Sequence, residues 1–180
     1  MAELKAVSAS PHPGSPLIPT GDPMVDGLGP AAWADRADVP DLTMHGEPKI
    51  VPMSALTGWT VADGDPDPRG LPVYAVDGEV AGTIVDIWVD RSEPQVRYYT
   101  VRLAAGEDRV LVPTSQVQWP NFGWWGTDHV TVKAITAAQF RGVPRTKFPD
   151  RITLLEEDRI MAYYGGGFLY ATPERSEPLL

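Results

Sequence analysis

The sequence predicts a mainly β protein: a small barrel or sandwich, preceded by an extended arm and followed by one helix. Three observations carry this. From residue 50 onward, short runs rich in Val, Ile and Tyr alternate with turn residues. Residues 8–30, SASPHPGSPLIPTGDPMVDGLGP, hold too much proline and glycine for a helix or a central strand. Near the other end, Thr153 stands three residues before Glu156, the spacing of a capping box.

The arm comes first. Its apolar residues Leu17, Ile18, Met24, Val25, Leu28 and Trp33 suit a segment laid on another surface, although the Pro/Gly content also suits a disordered one. Strands are expected over residues 71–76 and 80–90, joined by the hairpin signal Asp77-Gly78. Further strands follow over residues 96–103, 109–113 and 129–135, with turns at 91–94 and 105–108. Between the last two lies WPNFGWWGTD, whose Trp119, Phe122, Trp124 and Trp125 form either a local core plug or an exposed aromatic patch. The patch, facing a partner or lipid headgroups, is the favoured reading. The helix is expected over residues 154–164, stopped by Gly165, Gly166 and Gly167, with the remainder an extended surface tail. Glu156, Glu157 and Asp158 fall in its first turns, where the helix dipole favours negative charge.

The segment GTIVDIWVDRSEPQVR, residues 82–97, is the most informative. Strict alternation puts Ala81, Thr83, Val85, Ile87 and Val89 on one face and Asp86, Trp88 and Asp90 on the other, with Glu93 at the adjoining turn. Carboxylates so close are costly unless water, cations or titratable protons occupy that face. Spacing alone favours plain solvation; an acid cluster gathered for proton chemistry is the alternative.

Composition excludes several classes. A chain of 180 residues without cysteine forms one modest domain and has no disulfide, thiolate metal site or cysteine nucleophile. A net charge of -9 disfavours nucleic acid and broad adhesion to anionic lipid. No apolar run reaches the roughly 18 residues that would span a bilayer. No nucleophile elbow, phosphate loop, zinc-protease motif or dinucleotide fingerprint is present. Of the three histidines, His12 lies in the arm and His129 opens a strand. His45, with Glu47 two residues on, could bind a metal weakly or pass protons, but an exposed loop histidine is favoured.

Long strings then carry a resemblance. PTGDPMVDGLGPAAWADRADVPDL, HGEPKIVPM, RGLPV followed by AGTIVDIWVDRSE, LLEEDRI and YYGGGFLYATPER occur in this order from residue 19 to residue 175. Together they resemble the cytoplasmic portion of the H subunit of the purple-bacterial photosynthetic reaction centre. The resemblance implies an arm over residues 1–47 lying on partner subunits, a PRC-type β-barrel over 48–146, and a C-terminal helix and tail over 147–180. It implies a non-catalytic subunit that caps the cytoplasmic face of the L/M core, stabilises the complex, supports electron transfer between quinones and delivers protons to the secondary quinone. Asp90 and Glu93 match the family's acid pair in that relay, Arg97 a nearby arginine, and His45 a histidine at the proton entrance. Glu47 and Asp86 are further proton-transfer candidates. At the entrance the family has an acid, then two histidines flanking a glycine. Here Thr43, His45, Gly46 and Glu47 stand there, so no two-histidine metal site is implied.

No cofactor is expected on this chain. Bacteriochlorophyll, bacteriopheophytin, quinones and non-haem iron are expected in the L and M subunits. A cytochrome subunit, light-harvesting proteins and lipid headgroups are further candidate neighbours, at the cytoplasmic face of the photosynthetic membrane. The family begins with one membrane-spanning helix that these residues do not contain, so the chain is expected to be a truncated, cleaved or separate part of the subunit, or one in which the anchor has been lost. A soluble PRC-barrel adaptor explains the barrel but not the arm or the GGGFLYATPER string. A hydrolase using Asp86, Asp90 and Glu93 lacks a nucleophile and an oxyanion loop.

Overall fold

The computed structural model describes residues 4–120 and 128–176. A small antiparallel pair, β1 (Ala6–Ser8) with β2 (Leu17–Pro19), opens the chain, and α1 (Pro23–Asp26) follows. The main sheet contains β3 (Ile50–Pro52), β4 (Pro72–Tyr74), β5 (Val80–Asp90), β6 (Gln95–Leu103), β7 (Arg109–Pro113), β8 (Val117–Gln118) and β9 (Val130–Val132). Its order is β7-β6-β5-β4-β9-β8, and β3 pairs with the Asp90 end of β5 while β4 pairs with its Thr83 end. Among the described strands only β4 and β9 pair in parallel. The long helix α2 (Leu154–Tyr170) closes the fold, giving the mainly β architecture with one substantial helix that the sequence predicts.

Strict alternation fails in β5. The register passes from Ile84 opposite Val101 to Asp86 opposite Thr100, so Val85 is an extra residue, a bulge. Ile84, Ile87 and Val89 therefore point into the core at 1–2% exposure, whereas Thr83 and Val85, expected there, are half-buried. A second irregularity, between Trp88/Tyr98 and Val89/Val96, leaves Arg97 as the extra residue of β6.

The triple glycine does not stop the helix. α2 runs through Gly165, Gly166 and Gly167 to Tyr170, and the expected extended tail is partly helical. These glycines permit close approach: a Cβ on Gly166 would lie 2.5 Å from the Ala31 Cβ, and one on Gly167 2.3 Å from the Ala134 carbonyl oxygen. Such contacts favour glycine despite its weaker helix propensity. Around them Ile152, Ile160, Tyr164 and Phe140 are fully buried, with the last two rings edge to face at 6.1 Å.

The arm is ordered against α2. Pro23 begins a helical turn capped by the Asp22 carboxylate, which accepts from Met24 N at 2.9 Å, and Met24 is buried. Proline at the first helical position is compatible with that turn, so the segment holds a short helix that the sequence reading excluded. Downstream, Arg159 lies over the Trp33 ring at 5.3 Å and Ala34 N donates to the Asp158 carboxylate at 3.2 Å. The start of α2 is capped from both sides. Thr153 and Glu156 form the reciprocal capping box, while Leu154 N and Leu155 N donate to the carbonyls of Val39 and Ala37 at 3.0 and 3.3 Å. Asp38 accepts from the Thr153 hydroxyl at 2.9 Å and pairs with Lys147, whose hydrogen bond holds the Asp38 carboxyl below its usual range.

Trp119 meets Tyr99 edge to face, centroids 6.4 Å apart, and packs on the core rather than standing out as part of an exposed patch. Phe122, Trp124 and Trp125 lie outside the described residues. Among the described residues no helix is long and apolar enough to cross a membrane.

Candidate functional site

The site forms where the β5–β6 hairpin tip, the segment leading into β3 and the first turns of α2 meet. Asp90 ends β5 and is 1% exposed. Its Oδ1 accepts from the backbone N–H groups of Ser92 and Glu93 at 2.8 and 3.2 Å, so the carboxylate builds the turn that follows it. Its Oδ2 faces the Lys49 ammonium at 3.5 Å. Lys49 is placed opposite the end of β5 because Ile50 pairs with Asp90 and Arg91 N donates to the Lys49 carbonyl. The same ammonium lies 3.7 Å from Asp41. The Asp90 charge, reinforced by Asp41 and Glu93, holds Lys49 above its ordinary value against the opposing effect of burial.

Glu93 is exposed at the turn. Arg97, the extra residue of β6, is less exposed, and its guanidinium lies 4.0 Å from Glu157. Tyr98 donates its hydroxyl to Glu157 Oε2 at 2.9 Å. Burial raises the Glu157 carboxyl above its usual value, and the Tyr98 hydrogen bond and Arg97 charge offset this only in part. Burial, with the Glu157 charge, also pushes the Tyr98 phenol far above its usual value, so it stays a hydrogen-bond donor at all ordinary pH. Asp90, Lys49, Arg97, Tyr98 and Glu157 line one cavity of about 480 Å³.

His45 and Glu47 sit on the neighbouring loop, both exposed. The Thr43 hydroxyl accepts from the N–H groups of His45 and Glu47 at 3.2 and 3.4 Å, and Gly46 takes φ +78°. Glu47 pairs with Arg91 at 3.1 Å, and Arg91 also donates to the Pro48 carbonyl at 3.0 Å, fastening the loop beside the hairpin tip. Among the described residues no three His, Asp or Glu side chains form a group that could hold a metal ion.

Asp86 lies apart. It shares the nominal face of Asp90, but Trp88, 3% exposed, stands between them, with its indole N–H bonded to Thr100 at 2.8 Å. Asp86 accepts from the Ser54 hydroxyl at 2.5 Å and opens into a second cavity with Arg109, Arg145 and Lys147. Thus the structure gathers Asp90 and Arg97 with Glu93 at the rim, ties Glu47 to the same tip through Arg91, and leaves Asp86 elsewhere. Sequence reasoning missed Lys49, Asp41, Tyr98 and Glu157. One signal was available: consecutive helical residues point about 100° apart, so once Glu156 closes the capping box Glu157 must face a different surface.

Two family models match parts of the chain. Residues 61–139 match the model described as PRC-barrel domain, and with the strand-rich fold they define a PRC-barrel protein. Residues 1–55 match the model described as photosynthetic reaction centre, H-chain N-terminal region. Together the two matches support an H-subunit-like protein of the photosynthetic reaction centre. The H-chain match implies association with the photosynthetic membrane and with the L and M subunits of that complex.

Proposed function

We propose that this chain caps the cytoplasmic face of the L/M core as a non-catalytic subunit and supplies part of the proton path to the secondary quinone. Reducing a quinone to a quinol consumes two electrons and two protons, so a quinone shielded from water needs titratable groups leading to it. The observation that carries the reading is Asp90, a carboxylate 1% exposed at the hairpin tip, with Lys49 as counter-charge and exposed Glu93 three residues on. His45 and Glu47, on the loop fastened through Arg91, provide surface groups from which protons enter, and Arg97 tempers the negative charge. Bacteriochlorophyll, bacteriopheophytin, quinones and non-haem iron belong to L and M in this reading. A cytochrome subunit, light-harvesting proteins and lipid headgroups are neighbours of the assembly.

The test is flash kinetics on complexes carrying Asp90→Asn together with Glu93→Gln. The expected result is that the second, proton-coupled electron transfer and its proton uptake slow by about 100-fold, the usual scale for removing a positioned proton donor, while the first electron transfer keeps its rate. Unchanged proton uptake would show the relay assignment to be wrong and leave only the capping role.

A further inference from the structure

We infer that Glu157 is a proton-holding residue of the Asp90 cavity, a carboxyl carried by α2 that takes up and releases a proton beside the hairpin. This rests on the relay reading above and extends it from the hairpin to the C-terminal helix.

Glu156 already performs the capping duty at the helix start, with its oxygens accepting from Lys147 N at 2.7 Å and Thr153 N at 2.9 Å. Glu157, one position on, has no such duty and turns its side chain to the cavity. Its Oε2 accepts from Tyr98, and among the described residues its Oε1 carries no hydrogen bond. A carboxyl held by one oxygen and open at the other is suited to exchange a proton. The proton adds to Oε1 and neutralises the charge, while the Tyr98 hydroxyl keeps donating to Oε2 in both states. Tyr98 cannot itself release a proton, because its phenol is pushed far above the ordinary range, so it serves as a fixed positioning donor.

The charges facing Glu157 come from every neighbouring element. Arg97 and Tyr98 lie on β6, Arg36 and Asp41 on the segment after the arm's helical turn, Asp158 on α2, and Asp90 with Lys49 at the hairpin end. The cations favour the ionised carboxylate, the neighbouring acids oppose it, and burial is the largest effect, raising the carboxyl's affinity for a proton. The folded chain binds this proton more tightly than the unfolded one, so stability falls as pH rises from the unfolded carboxyl range through the folded value. Glu157→Gln removes that decline.

Light-induced infrared difference spectroscopy on the intact complex tests the inference directly. On quinone reduction, a carboxyl C=O band is expected that Glu157→Gln abolishes and Tyr98→Phe shifts in frequency, with proton uptake slowed several-fold in Glu157→Gln. A carboxyl region unchanged in Glu157→Gln overturns the inference. The Asp90→Asn/Glu93→Gln kinetics decide the parent reading separately. If those kinetics are unchanged while the Glu157 band is present, the relay through the hairpin acids fails and Glu157 stands as a proton holder on its own.

Discussion

Replacing Gly167 by alanine lowers the unfolding free energy by about 2 kcal/mol, although alanine is the better helix former. The added methyl would lie 2.3 Å from the Ala134 carbonyl oxygen and 2.5 Å from Ile135 Cγ2. A backbone carbonyl cannot swing aside as a long side chain can, so the helix must lift from the segment that follows β9. Overpacking of this kind costs about 1–3 kcal/mol, and this contact belongs at the upper end. Helix propensity returns about 1 kcal/mol. At this chain length the loss corresponds to a fall in Tm of about 6 °C. Gly165→Ala is the internal control: its Cβ would meet only the Pro30 carbonyl oxygen, at 3.1 Å. A calorimetric scan in which both variants match the parent would show that Gly167 does not set the distance between α2 and the segment after β9.

Glu156→Ala is expected to cost about 3 kcal/mol. Glu156 is 5% exposed, and its two oxygens satisfy the N–H groups of Thr153 and Lys147. Alanine leaves the buried Thr153 donor unpaired, at about 1–3 kcal/mol, and removes a charge-assisted bond to the half-buried Lys147 N–H. Glu156→Gln keeps one acceptor oxygen and should lose about half as much. Urea titration is the measurement, with an unchanged m-value showing that the fold is retained. Equal losses for the two variants would mean that the carboxylate's charge matters more than its acceptors.

Much of this architecture was readable in the sequence because local rules and tertiary needs agreed. Both ends of β5 and of β7 fall at the predicted residues, since turn residues bracket each run. The capping box at Thr153 marked the helix start. Its end was misread because a glycine that fits a left-handed cap and a glycine that fits against a neighbouring backbone are the same letter. Ala31 and Ala134 decide between them, and they are far away in sequence. The Val85 bulge likewise has no local signature, and it changed which residues of β5 face inward. At the site, Asp90 and Arg97 were visible on one hairpin. Lys49 and Glu157 were not, because they reach the same cavity from the segment leading into β3 and from α2, through pairings that only the folded chain defines.

The carbonyls of Ala37 and Val39 that complete the first turn of α2 have a dynamic consequence. The last helix cannot keep its first amides protected unless residues 37–39 stay in place, so the two ends of the chain open as one cooperative unit around a barrel that can remain shut. Exchange of the Leu154 and Leu155 amides with solvent deuterium therefore reports on seating of the arm. Any contact that holds the arm in its seat also slows that opening, and with it the exposure of the turn that carries Glu157.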